Sequence, residues 1–102
     1  MTLTETLTIA AEALPDVRRR DDPGRTEWSV GDRPFAAVAG ATAEFRLQAP
    51  VLKAALGTPD TSPSRRGPDW IAFAPAALDR FALDRATAWL TNAHRHVRTQ
   101  RN

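Results

Sequence analysis

The sequence contains no cysteine and no tyrosine, and its single lysine, Lys53, stands beside thirteen arginines. Without cysteine there is no disulfide, no thiolate metal site and no cysteine nucleophile. No segment approaches the roughly 18 consecutive apolar residues that a membrane helix needs. The first residues also lack the basic start and apolar stretch of a signal peptide. We therefore expect a cytoplasmic protein that has no membrane segment and relies on its hydrophobic core for stability.

The scarcity of tyrosine, cysteine and lysine also explains the high isoelectric point of the chain. Fourteen basic residues face twelve acidic ones, a net charge of +2, yet the isoelectric point is about 10.4. Arginine stays protonated beyond about pH 12 and few other groups titrate between neutrality and pH 10, so a small surplus moves the isoelectric point far. The value is weak evidence for a nucleic-acid partner. The distribution says more: residues 1–17 sum to −3 and residues 65–102 to +4.

Hydrophobic periodicity predicts one α+β domain over residues 1–102. A capping box from Thr2 to Glu5 opens the first helix, and Asp79 marks the start of the last. Residues 98–102 are predicted to be a frayed tail. The predicted order is helix 3–14, edge strand 17–20, strands 26–30, 34–39 and 42–48, helix 49–56, a loop over 57–68, strand 69–74 and a long C-terminal helix. This order favours an antiparallel sheet with the terminal helices packed on one face.

No catalytic or metal-binding motif stands out. His94 and His96 are two residues apart on a helix, so their side chains point in different directions and cannot share a metal ion. We interpret both as solvated histidines near a helix C-terminus, where imidazolium is favourable. The sequence offers no nucleophile–base pair and no phosphate-binding loop. We therefore expect a protein that is not an enzyme and uses no metal or other cofactor.

Arginine and tryptophan together form the strongest candidate for a binding surface. Strand alternation turns Ile71 and Phe73 toward the core and Trp70 toward the outer face of the sheet. Guanidinium groups grip phosphate, and an exposed aromatic ring can stack on a base. The alternative is an arginine-rich solvated surface with Trp70 under a loop. The candidate binding residues are Arg46, Arg65, Arg66 and Trp70, with Arg18, Arg19 and Arg20 nearby.

Four stretches of the chain, in this order and spacing, resemble the MmcQ/YjbR family over residues 5–98. They are Ala13-Leu-Pro-Asp-Val17, Trp28-Ser-Val-Gly-Asp-Arg-Pro-Phe-Ala36, Arg65-Arg-Gly-Pro-Asp-Trp-Ile71 and the stretch from Leu83 to Leu90 with Ala93-His-Arg-His96. The resemblance implies a CyaY-like (frataxin-like) fold in a small, bacterial, cytoplasmic protein. The positions that match the family pattern are Trp28, Phe35, Arg66, Gly67 and Trp70.

The resemblance also implies a function, since members of this family are commonly described as DNA-binding on the basis of their fold. We expect a monomer that binds DNA weakly through its phosphates, with strong salt dependence and little sequence preference. The alternative is a protein-interaction or small-ligand module that uses an apolar patch around Trp70. The acidic ridge with which frataxins bind iron is nearly absent, so the resemblance implies no iron site here.

Overall fold

The computed structural model describes residues 2–100 and confirms the α+β architecture. A six-stranded antiparallel sheet, with spatial order β1-β2-β3-β4-β6-β5, carries the N- and C-terminal helices. The elements are α1 (Leu3–Glu12), β1 (Val17–Asp22), β2 (Arg25–Val30), β3 (Arg33–Ala39), β4 (Thr42–Arg46), α2 (Ala49–Leu56), β5 (Thr61–Pro63), β6 (Trp70–Phe73) and α3 (Arg80–Thr99).

The helices begin where their capping residues predict. The Thr2 hydroxyl accepts the Glu5 amide, and the Glu5 carboxylate accepts the Thr2 amide, so two otherwise unpaired donors of α1 are satisfied. The Asp79 carboxylate accepts the Ala82 amide at the start of α3. Pro50 lies in the first turn of α2, where its missing N–H costs nothing.

Three hairpins join the first four strands into a meander. The turns place Gly24, Gly31 and Gly40 at φ of 78°, 62° and 58°, which is the left-handed region that glycine adopts without strain. After α2 the chain returns as β6, which pairs with β4, and the three-residue β5 pairs with the far side of β6. The sheet therefore has two edges, β1 and β5.

The core lies between one face of the sheet, called the inner face here, and the helices. Trp28, Ala36, Phe45 and Ile71 are register partners across four strands, so their side chains share this face. Each is almost fully buried. The helices add a second layer of buried residues, which are Leu3, Leu7 and Ala11 of α1, Ala55 of α2, and Ala82, Ala86, Trp89, Leu90, Ala93 and Val97 of α3.

The sequence predictions differ from the structure in a few places. The segment 57–68, predicted as a loop, contains the short strand β5, which three residues cannot signal by periodicity. The helix α3 continues through Thr99, so Arg98 is helical rather than part of a frayed tail; Arg101 and Asn102 lie outside the described residues. Strand β1 runs two residues further than predicted, to Asp22.

Candidate nucleic-acid interface

The face of the sheet that points away from the helices, called the outer face here, carries a row that contains three charged side chains. Register pairs Arg20 with Glu27, Glu27 with Ala37, and Ala37 with Glu44. Residues that face each other on antiparallel strands share a face, so these four side chains form one line across β1 to β4. The two glutamates thus lie on either side of Ala37, which is itself buried although it belongs to the outer face.

Arg66 lies across this row and neutralises it. Its Nη1 donates to Oε2 of Glu27 at 2.9 Å, and its Nε donates to Oε1 of Glu44 at 3.0 Å. The Ser64 hydroxyl donates to the other oxygen of Glu44 and accepts the Arg66 amide. All three charged side chains are largely buried, with exposed fractions of 19% for Arg66, 16% for Glu27 and 26% for Glu44. The loop before β6 is therefore fixed to the outer face.

Trp70 lies on the outer face as predicted, but its ring is covered. The register partner of Trp70 is Arg46, and the guanidinium carbon of Arg66 lies 5.0 Å from the centre of the Trp70 ring. A Cβ at Gly67 would lie 3.4 Å from the ring, which is van der Waals contact, so the loop passes directly against the ring here. Only 8% of Trp70 is exposed. The expected open aromatic platform is absent, and the alternative of a ring under a loop describes the residue correctly.

Arg46 is also paired within the protein. Its Nε donates to Oδ2 of Asp69 at 2.6 Å, a short charge-assisted contact between the end of β4 and the residue before β6. The imidazole of His96 lies near this pair. Burial lowers the pKa of His96 below its ordinary value, the positive charge of Arg46 lowers that pKa further, and the Asp69 carboxylate opposes both effects.

The three arginines of β1 do not share one face. Arg18 and Arg20 are opposite Ser29 and Glu27 and lie on the outer face, whereas Arg19 is opposite Trp28 and lies on the inner face. Arg19 donates to Asp21 at 3.0 Å, and Arg20 lies 3.4 Å from Asp22. Among the seven predicted binding residues, the structure thus brings Arg46, Arg66, Trp70, Arg18 and Arg20 to the outer face. It leaves Arg65 on the loop before β6 and separates Arg19 from the others.

Arg18 and Arg65 remain exposed, and neither has a carboxylate within 4 Å among residues 2–100. The outer face and its loop carry six arginines (18, 20, 25, 46, 65 and 66) against four carboxylates (22, 27, 44 and 69). Each of the four carboxylates lies within 4 Å of one of these arginines. The surplus of two positive charges is therefore carried by side chains that reach into solvent.

The prediction of a solvated His94 is wrong. This side chain is 3% exposed, its ring meets Phe35 edge-on at 5.4 Å, and its Nε2 donates to the carbonyl of Pro15 at 2.8 Å. His96 is partly buried. Within residues 2–100, no three histidine, aspartate or glutamate side chains form a group that could hold a metal ion.

The partners of Arg66 were missed by the sequence analysis, although a signal for them exists. Alternation in β2 and β4 turns Glu27 and Glu44 outward, and two outward carboxylates on neighbouring parts of a sheet attract an arginine. Glu27 and Arg66 are 39 residues apart, so no local sequence pattern indicates that they pair.

Comparison with known proteins finds no family, no curated protein and no solved structure that matches the chain. In the described part of the chain, no helix combines the length and the apolar character that crossing a membrane requires.

Proposed function

We propose that this chain is a small, non-enzymatic, cytoplasmic protein of the MmcQ/YjbR type, with a CyaY-like fold, and that it binds DNA weakly through its phosphates. The binding surface is the outer face of the sheet. Its contact residues are Arg18, Arg20 and Arg65, while Arg46, Arg66 and Trp70 are engaged in contacts within the protein.

One observation carries the proposal: the carboxylates of the outer face all have an arginine partner within the protein, and two arginines are left over. Arg18 and Arg65 lose no partner when a phosphate approaches, so binding there costs no internal ion pair. The net charge of this face is small, and we therefore expect weak binding that depends on few phosphate contacts.

The alternative function, a protein- or small-ligand-binding module around Trp70, lacks its apolar patch. Trp70 is covered by Arg66, and the most exposed apolar side chains, Phe81 and Ile9, lie on the helices. The buried histidine, His94, is bonded to a main-chain carbonyl, so this side chain does not support the enzyme hypothesis.

The test is a titration of a labelled DNA duplex at about 50 mM and about 200 mM salt. The variant R18Q/R65Q removes two outer-face charges, and the control K53Q/R80Q removes two exposed charges from α2 and α3. Loss of two phosphate contacts makes the slope of log K against log salt shallower by about 1.8. We expect this change in R18Q/R65Q and no such change in the control. Absence of binding at about 50 mM salt, or equal binding by both variants, refutes the proposal.

A further inference from the structure

A groove that two arginines line lies on the helical side of the molecule, away from the outer face. Its volume is about 410 Å³, and it runs between the last turns of α3 and the turn that follows α1. The wall on α3 is formed by residues three, four or seven positions apart, which share one helix face. The lining residues are Leu14, Pro15, Thr91, His94, Arg95, Arg98 and Thr99.

A hydrogen bond holds the floor of this groove against α3. The buried ring of His94 donates to the carbonyl of Pro15 and so ties the turn to α3. The next residue, Asp16, has φ of 62°, a conformation that is uncommon for any residue except glycine and is best tolerated by Asn and Asp. The turn is thus anchored at Pro15, and the Asp16 carboxylate is directed toward α3.

The wall of the groove is positively charged, and its two arginines have no strong partner within the described residues. Arg95 is exposed and makes no ion pair among residues 2–100. The Nη2 of Arg98 lies 3.7 Å from Oδ2 of Asp16, which is an ion-pair distance but exceeds hydrogen-bond length. Both partners are well exposed, at 46% and 71%, so this contact is weak. Two guanidinium groups thus line the groove. Within the described residues, the only carboxylate within 4 Å of either group is that of Asp16, which pairs weakly with Arg98.

We propose that this groove binds the phosphate group of an anionic ligand, with Arg95 and Arg98 as its two cationic contacts and Asp16 as a built-in competitor. Guanidinium groups hold phosphate oxygens through paired N–H donors. The phosphate displaces the Asp16 carboxylate from Arg98, while the turn stays anchored because His94 holds the neighbouring carbonyl. The site is separate from the outer face and does not depend on the proposed DNA-binding function.

The experiment is a titration of the whole protein with inorganic phosphate at constant ionic strength, followed by amide chemical shifts. We expect saturable shifts confined to the groove, with half-saturation at or below about 10 mM, the range of weak binding by two charged contacts. R95Q/R98Q should bind at least about ten-fold more weakly, since each charged hydrogen bond contributes more than a factor of ten when lost. The control K53Q/R80Q, which removes equal charge elsewhere on the surface, should match the wild type.

The variant D16N tests whether the Asp16 carboxylate competes with phosphate for Arg98. D16N keeps a residue that tolerates positive φ and removes only the charge, so we expect binding to tighten by about two- to five-fold, the value of an exposed ion pair. Unsaturable shifts, or equal phosphate binding by R95Q/R98Q and the control, overturn the proposal.

A second arm identifies the source of the phosphate. A short DNA duplex is added to the phosphate-loaded protein. A further change or broadening of the groove shifts on addition of DNA assigns the site to the nucleic-acid backbone, and groove shifts that stay unchanged assign it to a small phosphorylated molecule. Failure of the DNA titration of R18Q/R65Q leaves the inorganic phosphate result unaffected, so the two proposals fail separately.

Discussion

Replacing Arg66 by methionine should destabilise the fold strongly, because this residue holds two carboxylates that have little contact with water. R66M keeps the apolar stem over Trp70 and removes the donors to Glu27 and Glu44, at 2.9 and 3.0 Å. A hydrogen bond to a charged group contributes about 1.5–3 kcal/mol. The glutamates lie on strands two positions apart, about 10 Å, where two like charges repel by about 1.7 kcal/mol at an effective dielectric constant of about 20.

Partial rehydration of the two carboxylates offsets part of this cost, and we expect a net loss of about 3 kcal/mol in the free energy of unfolding. For a domain of this size each kcal/mol lowers the melting temperature by about 4–8 °C, so the melting temperature of R66M should fall by about 15 °C. The measurement is urea and thermal unfolding followed by far-UV circular dichroism.

Two further variants make this prediction specific. R65M removes the neighbouring arginine, which is exposed and has no carboxylate within 4 Å among residues 2–100, and should change the stability by less than about 0.5 kcal/mol. The triple variant E27Q/E44Q/R66M should recover much of the loss, because no uncompensated charge remains. If R66M unfolds like R65M, the ion-pair account of the outer face is wrong.

Two other predictions concern α3. D79A should lower the free energy of unfolding by about 1 kcal/mol, because the Ala82 amide loses its acceptor, and D79N should restore most of it; equal melting of both variants would contradict the capping role. The pKa of His96 in the folded protein is below its ordinary value of 6.5, so the unfolded chain binds this proton more readily. The contribution of His96 therefore lowers the stability as pH decreases through 6.5 and adds no pH dependence well above it. Urea midpoints at pH 7.5 and 5.5 should therefore differ less for H96Q than for the wild type, and identical pH dependence would show that His96 does not contribute.

The fold could be predicted from the sequence because the decisive signals are local. Period-two alternation in β4, the capping box at Thr2 and the apolar stripe of α3 each depend on neighbouring residues. His94 was misjudged because it was assigned by its place near a helix end, although it lies four residues after the buried Leu90 and next to the buried Ala93. That spacing puts it on the core side of the helix.

For the candidate site, the sequence predicts where the residues lie but not which arginines are free to bind a ligand. Alternation gives the face on which Arg46 and Trp70 lie, but it does not tell whether an arginine is engaged within the protein. That depends on how the loop before β6 crosses the sheet, which brings Arg66 to Glu27 over 39 residues of sequence. Side-chain identity therefore indicated which groups could bind phosphate, and tertiary contacts decided which of them are available.

The two edge strands have a consequence for the solution behaviour of the protein. An open edge presents unpaired N–H and C=O groups that can join with another molecule's edge and start aggregation. Strand β1 carries Arg18, Arg19 and Arg20 followed by two aspartates, and the short β5 ends at Pro63, which has no N–H to donate. Charge and proline are the usual means by which natural sheets prevent this joining. The arginines of β1 thus also protect the folded protein from self-association, and variants that remove several of them at once should precipitate at lower concentrations.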